Sequence, residues 1–333
     1  MNTFLPQRFS LNIGLAVLSA ITLFAACMIG ATSIAPQRVF TALFGSGLEV
    51  DRIIVWSIRL PRALAAYLVG ASLGMAGGAL QGLFRNPLAE PGVIGVSATS
   101  SLFAAGALYY GIVSWSPLTL PIAAIIGALA ATAIVAIAAR LTNSVVALIL
   151  VGVGLSSFAG ALMALLMNLA PHPFTLSDMI NWTMGSVANR SFEDIALTAP
   201  FMAMGATILI APARGPSLLT LGEEAALGAG LDLQRQRLAV IIGAGFAAGG
   251  SVALAGAVGF VGIVAPHFIR RFVDHDPQRT LLPSALLGGW ILLMADILVR
   301  VVPTNSELKL GVAAALIGAP VFIWIAANRG GRA

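Results

Sequence analysis

Two adjacent carboxylates, Glu223 and Glu224, open the most polar stretch of a chain in which only 9% of residues are charged. The stretch is 221–237, LGEEAALGAGLDLQRQR, and it continues through Leu227, Gly228, Gly230 and Asp232 to Arg235 and Arg237. Acids and guanidinium groups this close can pair with one another or with charges on a second protein. Glu223 to Leu227 reads as about one helical turn, stopped by glycines that end a helix at low cost. A short helix, a glycine break and a basic return, set between long uncharged runs, have the form of a docking knob; an ordinary connecting loop is the plainer alternative.

Other polar groups sit at the ends of apolar runs. In Arg59-Leu60-Pro61-Arg62, two arginines flank a proline that stiffens the backbone. Guanidinium forks there can meet carboxylates on a partner or anchor the chain at an interface. Asp296 and Arg300 stand four apart, the spacing of neighbours on one helix face, and suit either an internal salt bridge or docking. Leu141-Thr142-Asn143-Ser144 is a tight polar turn, a plain connection or a gate at the mouth of a bundle. Residues 85–97, RNPLAEPGVIGVS, carry Pro87, Pro91, Gly92 and Gly95 and read as a rigid turn. Gly256, Gly259 and Gly262 recur every third residue before His267, a lone histidine with no neighbouring metal ligand.

The common catalytic motifs are missing. The chain has no GxxxxGK[ST] phosphate loop, no HExxH, no GxSxG and no paired catalytic carboxylates in a plausible cleft. Cys27 is the only cysteine, so there is no intrachain disulfide and no cysteine-based metal site. No catalytic residue, metal site or cofactor is expected. Acidic residues are scarce inside the apolar runs, which argues against a proton relay.

The elements that must position these groups follow from composition. The chain of 333 residues is 59% hydrophobic, with a mean hydropathy of +0.96. Apolar runs of bilayer length recur from end to end, and about 20 such residues cross the hydrocarbon core as a helix. The polar connections are too short for a separate soluble core. The expectation is a single all-α, polytopic membrane domain over 1–333, with the polar loop at about 214–237. Charges and prolines divide the runs into ten spans, at 11–32, 62–85, 93–110, 119–139, within 141–177, 195–213, 236–255, 257–270, 280–300 and 309–328. The first run is long for a signal peptide and is expected to stay as a span.

Ten spans place both termini and the polar loop on one side. That side takes eleven of the eighteen basic residues, among them Arg85, Arg140, Arg235, Arg237, Arg270 and Arg271, which makes it cytoplasmic. The pI near 10.3 thus reflects orientation, not nucleic-acid binding. Spans two to five and seven to ten match in outline, with the third and eighth short and glycine pairs at Gly77–Gly78 and Gly249–Gly250. Five spans per half invert one copy in the membrane, a transporter design. Gly70, Gly74 and Gly78 form a small-residue ladder suited to close helix packing.

Five stretches in this order, RLPR, NPLAEPGVIGVS, LGEEAALGAGL, GFVGIVAPHFIRR and ELKLGVAAALIGAPVFIWI, resemble the FecCD-type permeases. These are the membrane subunits of ABC importers for ferric siderophores, haem and vitamin B12, and the resemblance runs over 59–324. It implies about ten helices in the bacterial inner membrane and a second permease subunit, identical or paralogous. It also implies two separate ATPase subunits inside and a periplasmic or lipid-anchored binding protein outside. By the same resemblance, Leu221, Gly222, Glu223, Glu224, Leu227, Gly228 and Gly230 couple to the ATPase. Arg59, Arg62 and Arg300 meet acidic residues of the binding protein, and Thr142 and Asn143 lie at a cytoplasmic gate. ELKLG departs from the more usual ELPxG at Lys309. An iron(III)–siderophore complex is the expected cargo, with haem or vitamin B12 as alternatives. An ion-coupled secondary transporter is the rival reading; it fits the repeat and lacks the carboxylates.

Overall fold

Inside a bilayer the backbone has no water to bond, so each apolar run must close its hydrogen bonds within a helix. The computed structural model describes residues 4–30, 32–142, 144–211, 215–220, 222–302 and 308–329, and no β-strand occurs among them. The helices in order are α1 (Phe4–Met28), α2 (Pro36–Leu43), α3 (Glu49–Ile53), α4 (Leu60–Phe84), α5 (Val96–Tyr109), α6 (Thr119–Leu141), α7 (Val145–Asn168) and α8 (Pro173–Thr183). They continue with α9 (Phe192–Ile210), α10 (Gly215–Leu219), α11 (Glu223–Gly228), α12 (Leu233–Ala255), α13 (Val261–Arg270), α14 (Pro277–Val301) and α15 (Leu310–Arg329).

Seven of these are long and apolar enough to cross a membrane, α1, α4 with its lead-in, α6, α7, α9, α12 and α14; α5, α13 and α15 supply shorter apolar helices. These are the ten spans expected, with two adjustments. The run within 141–177 ends at Asn168, and its proline-rich tail forms α8. The eighth span starts at Val261, so Gly256 and Gly259 belong to the turn before it and only Gly262 is helical. Ser191 and Asp194 close a capping box at the start of α9. Exposed Trp56, Tyr110 and Trp115 lie near helix ends, where amphipathic rings suit a membrane interface.

α4 and α12 form the centre, with 72% and 78% of their spans buried, whereas α7 is 17% buried and presents its apolar surface outward. α4 packs on α14, α12 packs on α6 and α9, and α4 crosses α12. With no hydrophobic drive between helices in lipid, close approach must come from small residues. A methyl group on Gly70 would overlap the Gly288 carbonyl, and one on Gly74 the Ser284 carbonyl. In the other half, one on Gly245 would overlap Thr132. The predicted ladder is corrected at its third rung. Gly77, not Gly78, makes the tight contact, against the Gly262 carbonyl, while Gly78 has ordinary van der Waals spacing.

One irregularity shapes the outer end. Residues 49–84 run as a continuous helix, interrupted by a π-helical stretch, Ile54–Arg59, in which Leu60 N–H reaches back five residues to the Val55 carbonyl. Pro61 follows directly and has no N–H to give, so the ladder must loosen there. The widened turn directs Arg59 toward the C-terminal end of α1.

Candidate functional sites at the two faces and between the halves

The polar loop is built by local rules. α11 ends in a Schellman motif: Leu231 N–H bonds the Ala226 carbonyl at 3.0 Å and Gly230 N–H the Leu227 carbonyl at 2.9 Å. Gly230 stands at φ +81°, which glycine adopts without strain. Asp232 then caps α12 by accepting from Arg235 N–H at 3.0 Å. Ala226 is buried against the bundle, while Glu224, Leu227, Gly228 and Gly230 are exposed. Leu227 is 56% exposed, an apolar side chain held out on a short, doubly anchored helix. Glu224 forms no ion pair among the described residues. Glu223 differs: it turns back to Arg237, 2.9 Å away, whose side chain is 4% exposed. Leu221 lies outside the described residues, and Gly222 precedes the helix at φ +107°.

Thr142 and Ser144 are occupied in closing the α6–α7 hairpin. Thr142 Oγ1 accepts from Ser144 N–H at 3.1 Å, and Ser144 Oγ caps α7 by accepting from Ala147 N–H at 3.3 Å. Asn143 lies outside the described residues.

At the end of the bundle away from the polar loop Arg59, Arg62 and Arg300 lie near one another, but Arg62 and Arg300 close on an internal carboxylate and Arg59 on backbone carbonyls. Arg62 holds Asp296 through Nε and Nη2 at 2.9 and 2.8 Å, and Arg300 holds the other carboxylate oxygen. Arg59 Nη1 donates to the Cys27 and Met28 carbonyls at 2.9 and 2.8 Å, and its Nη2 to the Thr32 carbonyl. Arg300 Nη1 adds the Ala26 carbonyl at 3.0 Å. The last turn of α1 leaves the Ala26, Cys27 and Met28 carbonyls without partners inside the helix, and cations suit that end of the helix dipole. The expectation that the RLPR arginines stand at the surface is therefore corrected for Arg59, which is 5% exposed and caps α1. The three still line one wall of an open pocket of about 500 Å³, together with Ile58, Thr32 and Val299. Nearby, Arg38 and Asp51 form a two-point pair at 2.6 and 2.7 Å, and Asp51 raises the Arg38 guanidinium above its ordinary pKa.

A third group was not legible as functional in the sequence. The 85–97 connection does not stay at the inner surface. Asn86 Oδ1 accepts from Leu88 N–H at 3.0 Å, and the chain then turns back into the bundle. Glu90 Oε2 accepts from Phe260 N–H at 3.1 Å, at the N-cap of α13. Glu90, Pro91 and Leu73 share a pocket of about 160 Å³ with Ser97, Val258 and Gly262. Leu73 lies eleven residues before the end of α4, about 16 Å deep at the helical rise. Glu90 thus ties the connection in one half to the start of the short helix in the other. The only local signal was the pair of prolines and glycines ahead of a span too short to cross alone.

Removing that acceptor has a definite expected result. Glu90→Ala leaves the part-buried Phe260 N–H without its acceptor, at a cost of up to about 1–3 kcal/mol, whereas Glu90→Gln keeps an acceptor and loses less. Thermal unfolding of both variants in detergent checks this. Equal stabilities for the two would mean that the bond carries no weight.

With both faces and the central contact in place, the chain can be set beside known proteins. The model of the FecCD transport family matches residues 17–328. The chain belongs to the FecCD transport family. This FecCD chain is 38% identical over 300 residues to the uncharacterized ABC transporter permease protein YvrB of Bacillus subtilis, covering 88% of this chain and 84% of that protein. It is 37% identical over 323 residues to the vitamin B12 import system permease protein BtuC of Klebsiella pneumoniae, covering 96% and 94%. It also superimposes with a TM-score of 0.83, at 30% identity, on a solved ABC transporter assigned to the metal-chelate type and captured facing inward. That match covers 96% of this chain and 99% of the other. The FecCD chain is thus a multi-pass ABC importer permease, a transport subunit. Among its described residues no group of three or more His, Cys, Asp or Glu is placed to hold a metal ion.

Proposed function

We propose that this FecCD permease carries an iron(III)–siderophore complex across the bacterial inner membrane, driven by two ATPase subunits docked at its cytoplasmic face. The observation that carries the reading is α11, a capped helix that displays Glu224 and Leu227 beside exposed glycines on an otherwise apolar, membrane-embedded chain. A short rigid helix with one exposed apolar anchor suits insertion into a cleft of a soluble partner. On the outer face, a periplasmic or lipid-anchored binding protein docks at the pocket rim through acidic residues that meet the arginine-rich wall. There Arg62 is the most accessible of the three guanidinium groups, with its side chain 15% exposed against 5% for Arg300. A second permease subunit completes the path, and the α6–α7 turn at Thr142 and Asn143 forms part of its inner gate. Cobalamin is the second reading for the cargo, favoured by the 37% identity to the vitamin B12 permease BtuC. Both cargoes are bulky metal chelates, which matches the metal-chelate assignment of the superimposed transporter.

The test is gentle purification through a tag on this chain from its native membrane, followed by reconstitution with the proteins that accompany it. A stoichiometric ATPase and ATP-dependent uptake of a ferric hydroxamate chelate are expected. Uptake of cyanocobalamin in its place moves the cargo to the second reading. A chain that purifies alone and transports without ATP is a secondary transporter.

A further inference from the structure

The polar loop reaches two helices, and it reaches each near its N-terminus. Glu223 of α11 bonds Arg237, in the first turns of α12. Ser217 of α10 donates to Asp276 Oδ1 at 2.6 Å, and Asp276 is the N-cap of α14, where it also accepts from Gln278 N–H and Arg279 N–H at 3.0 and 3.3 Å. α10 is fixed further by Gly215, which lies so close on Gln236 of α12 that a side chain there would overlap it. No other long helices receive polar side-chain contacts from α10 and α11 among the described residues.

α12 and α14 also press closely against the first half, as α13 does through Gly262 on Gly77. α14 meets α4 through Gly288 on Gly70 and Ser284 on Gly74, and α12 meets α6 through Gly245 on Thr132 and Gly249 on Ala128. Packed helices transmit displacement because close-packed interfaces do not deform continuously. A push on the exposed face of α11 therefore enters the bundle at two points, and each point leads to one inter-half seam.

We infer that Glu223 and Ser217 are positioning residues that pass the movement of the polar loop to α12 and α14, and that Glu224 and Leu227 alone form the surface the ATPase grips. This divides the adjacent glutamates between two tasks, and it rests on the proposed seating of an ATPase on α11. Both glutamates are exposed, but the carboxylate of Glu223, its side chain 45% exposed, is bound at 2.9 Å to a guanidinium that is 4% exposed, whereas Glu224 forms no ion pair among the described residues. An ion pair with one partner buried resists separation better than a surface pair, because breaking it takes a carboxylate from a guanidinium that is shielded from water.

The experiment uses the complex purified through a tag on this chain, in a Cys27→Ala background, with spin labels at exposed outer positions as Phe174→Cys and Val301→Cys. The readouts are the amount of co-purified ATPase, its hydrolysis rate, and the change in label distance between the nucleotide-free and vanadate-trapped states. Glu223→Gln should retain the ATPase and its hydrolysis while losing the nucleotide-driven distance change. Exchange of the pair, Glu223→Arg with Arg237→Glu, should restore that change. Glu224→Lys with Leu227→Ala should instead release the ATPase. If Glu223→Gln releases the ATPase as the Glu224 and Leu227 variant does, Glu223 is a docking residue and the inference is wrong. An undiminished distance change in Glu223→Gln overturns it equally, and so does a label pair that fails to respond in the unaltered complex. An unaltered chain that purifies without any ATPase removes the underlying reading of α11 instead.

Discussion

Asp296→Ala is expected to destabilise the outer end of the bundle more than any other single change of a polar group. Asp296 is fully buried and is the shared counter-charge of Arg62 and Arg300. Removing one member of a buried ion pair costs about 3–5 kcal/mol, because the charge left behind has lost its water and gains no partner. The loss spreads, since Arg300 also holds the Ala26 carbonyl at the end of α1. Arg62 and Arg300, which share the acid, would then face each other without it between them. α1 and α14 are further linked by Trp290 Nε1, which donates to Thr22 Oγ1 at 3.1 Å. Trp290 fluorescence during thermal unfolding in detergent therefore reports the junction. A lowered midpoint and an early change at Trp290 are expected for Asp296→Ala, and a smaller shift for Asp296→Asn, which keeps the shape and one acceptor. An unchanged midpoint in the alanine variant would show that water already solvates the arginines.

The second large effect belongs to Gly77→Leu. Gly77 lies against the Gly262 carbonyl so closely that even a methyl group overlaps it, and Gln81 Nε2 donates to that same carbonyl at 3.1 Å. The obstructing atom is backbone of α13, held in place by α4, α14 and the Glu90 contact, so it cannot swing aside as a flexible side chain would. Overpacking costs roughly 1–3 kcal/mol where neighbours relax, and this site stands at the upper end of that range. The folded fraction in detergent, measured by size-exclusion chromatography with thermal unfolding, should fall sharply. Gly154→Ala on α7, where nothing lies within 4 Å of the added group, is the control and should leave stability unchanged. If both variants behave alike, the α4–α13 contact is looser than the close approach of Gly77 and Gly262 requires.

The two expectations concern contacts that no local reading of the chain supplies, and the same holds for the functional site. The ten spans were legible because the bilayer acts on each segment separately. Length, apolarity and terminal charge determine a span whatever it packs against, and the short third and eighth helices already stood out. The polar loop was legible for the same reason, since charges in an apolar chain must sit where water is. Its stop at Gly228 to Gly230 and the cap at Asp232 are local hydrogen-bond chemistry, written in a few adjacent residues.

Partners are a different matter. Arg62 and Asp296 are 234 positions apart, and Glu90 and Phe260 are 170 apart. The sequence by itself determined that RLPR would bring arginines to an outer helix end. Only the tertiary structure decided that α1 would end beside them with unbonded carbonyls, so that Arg59 turned inward. It likewise placed Gly77 and not Gly78 against α13, a matter of which helix face the neighbour approaches. It separated Glu223 from Glu224, which composition and spacing cannot tell apart. The physical reason is common to all of these. Burial of a charge or a bare backbone group is tolerated only where the fold supplies its complement, and that complement comes from chain remote in sequence.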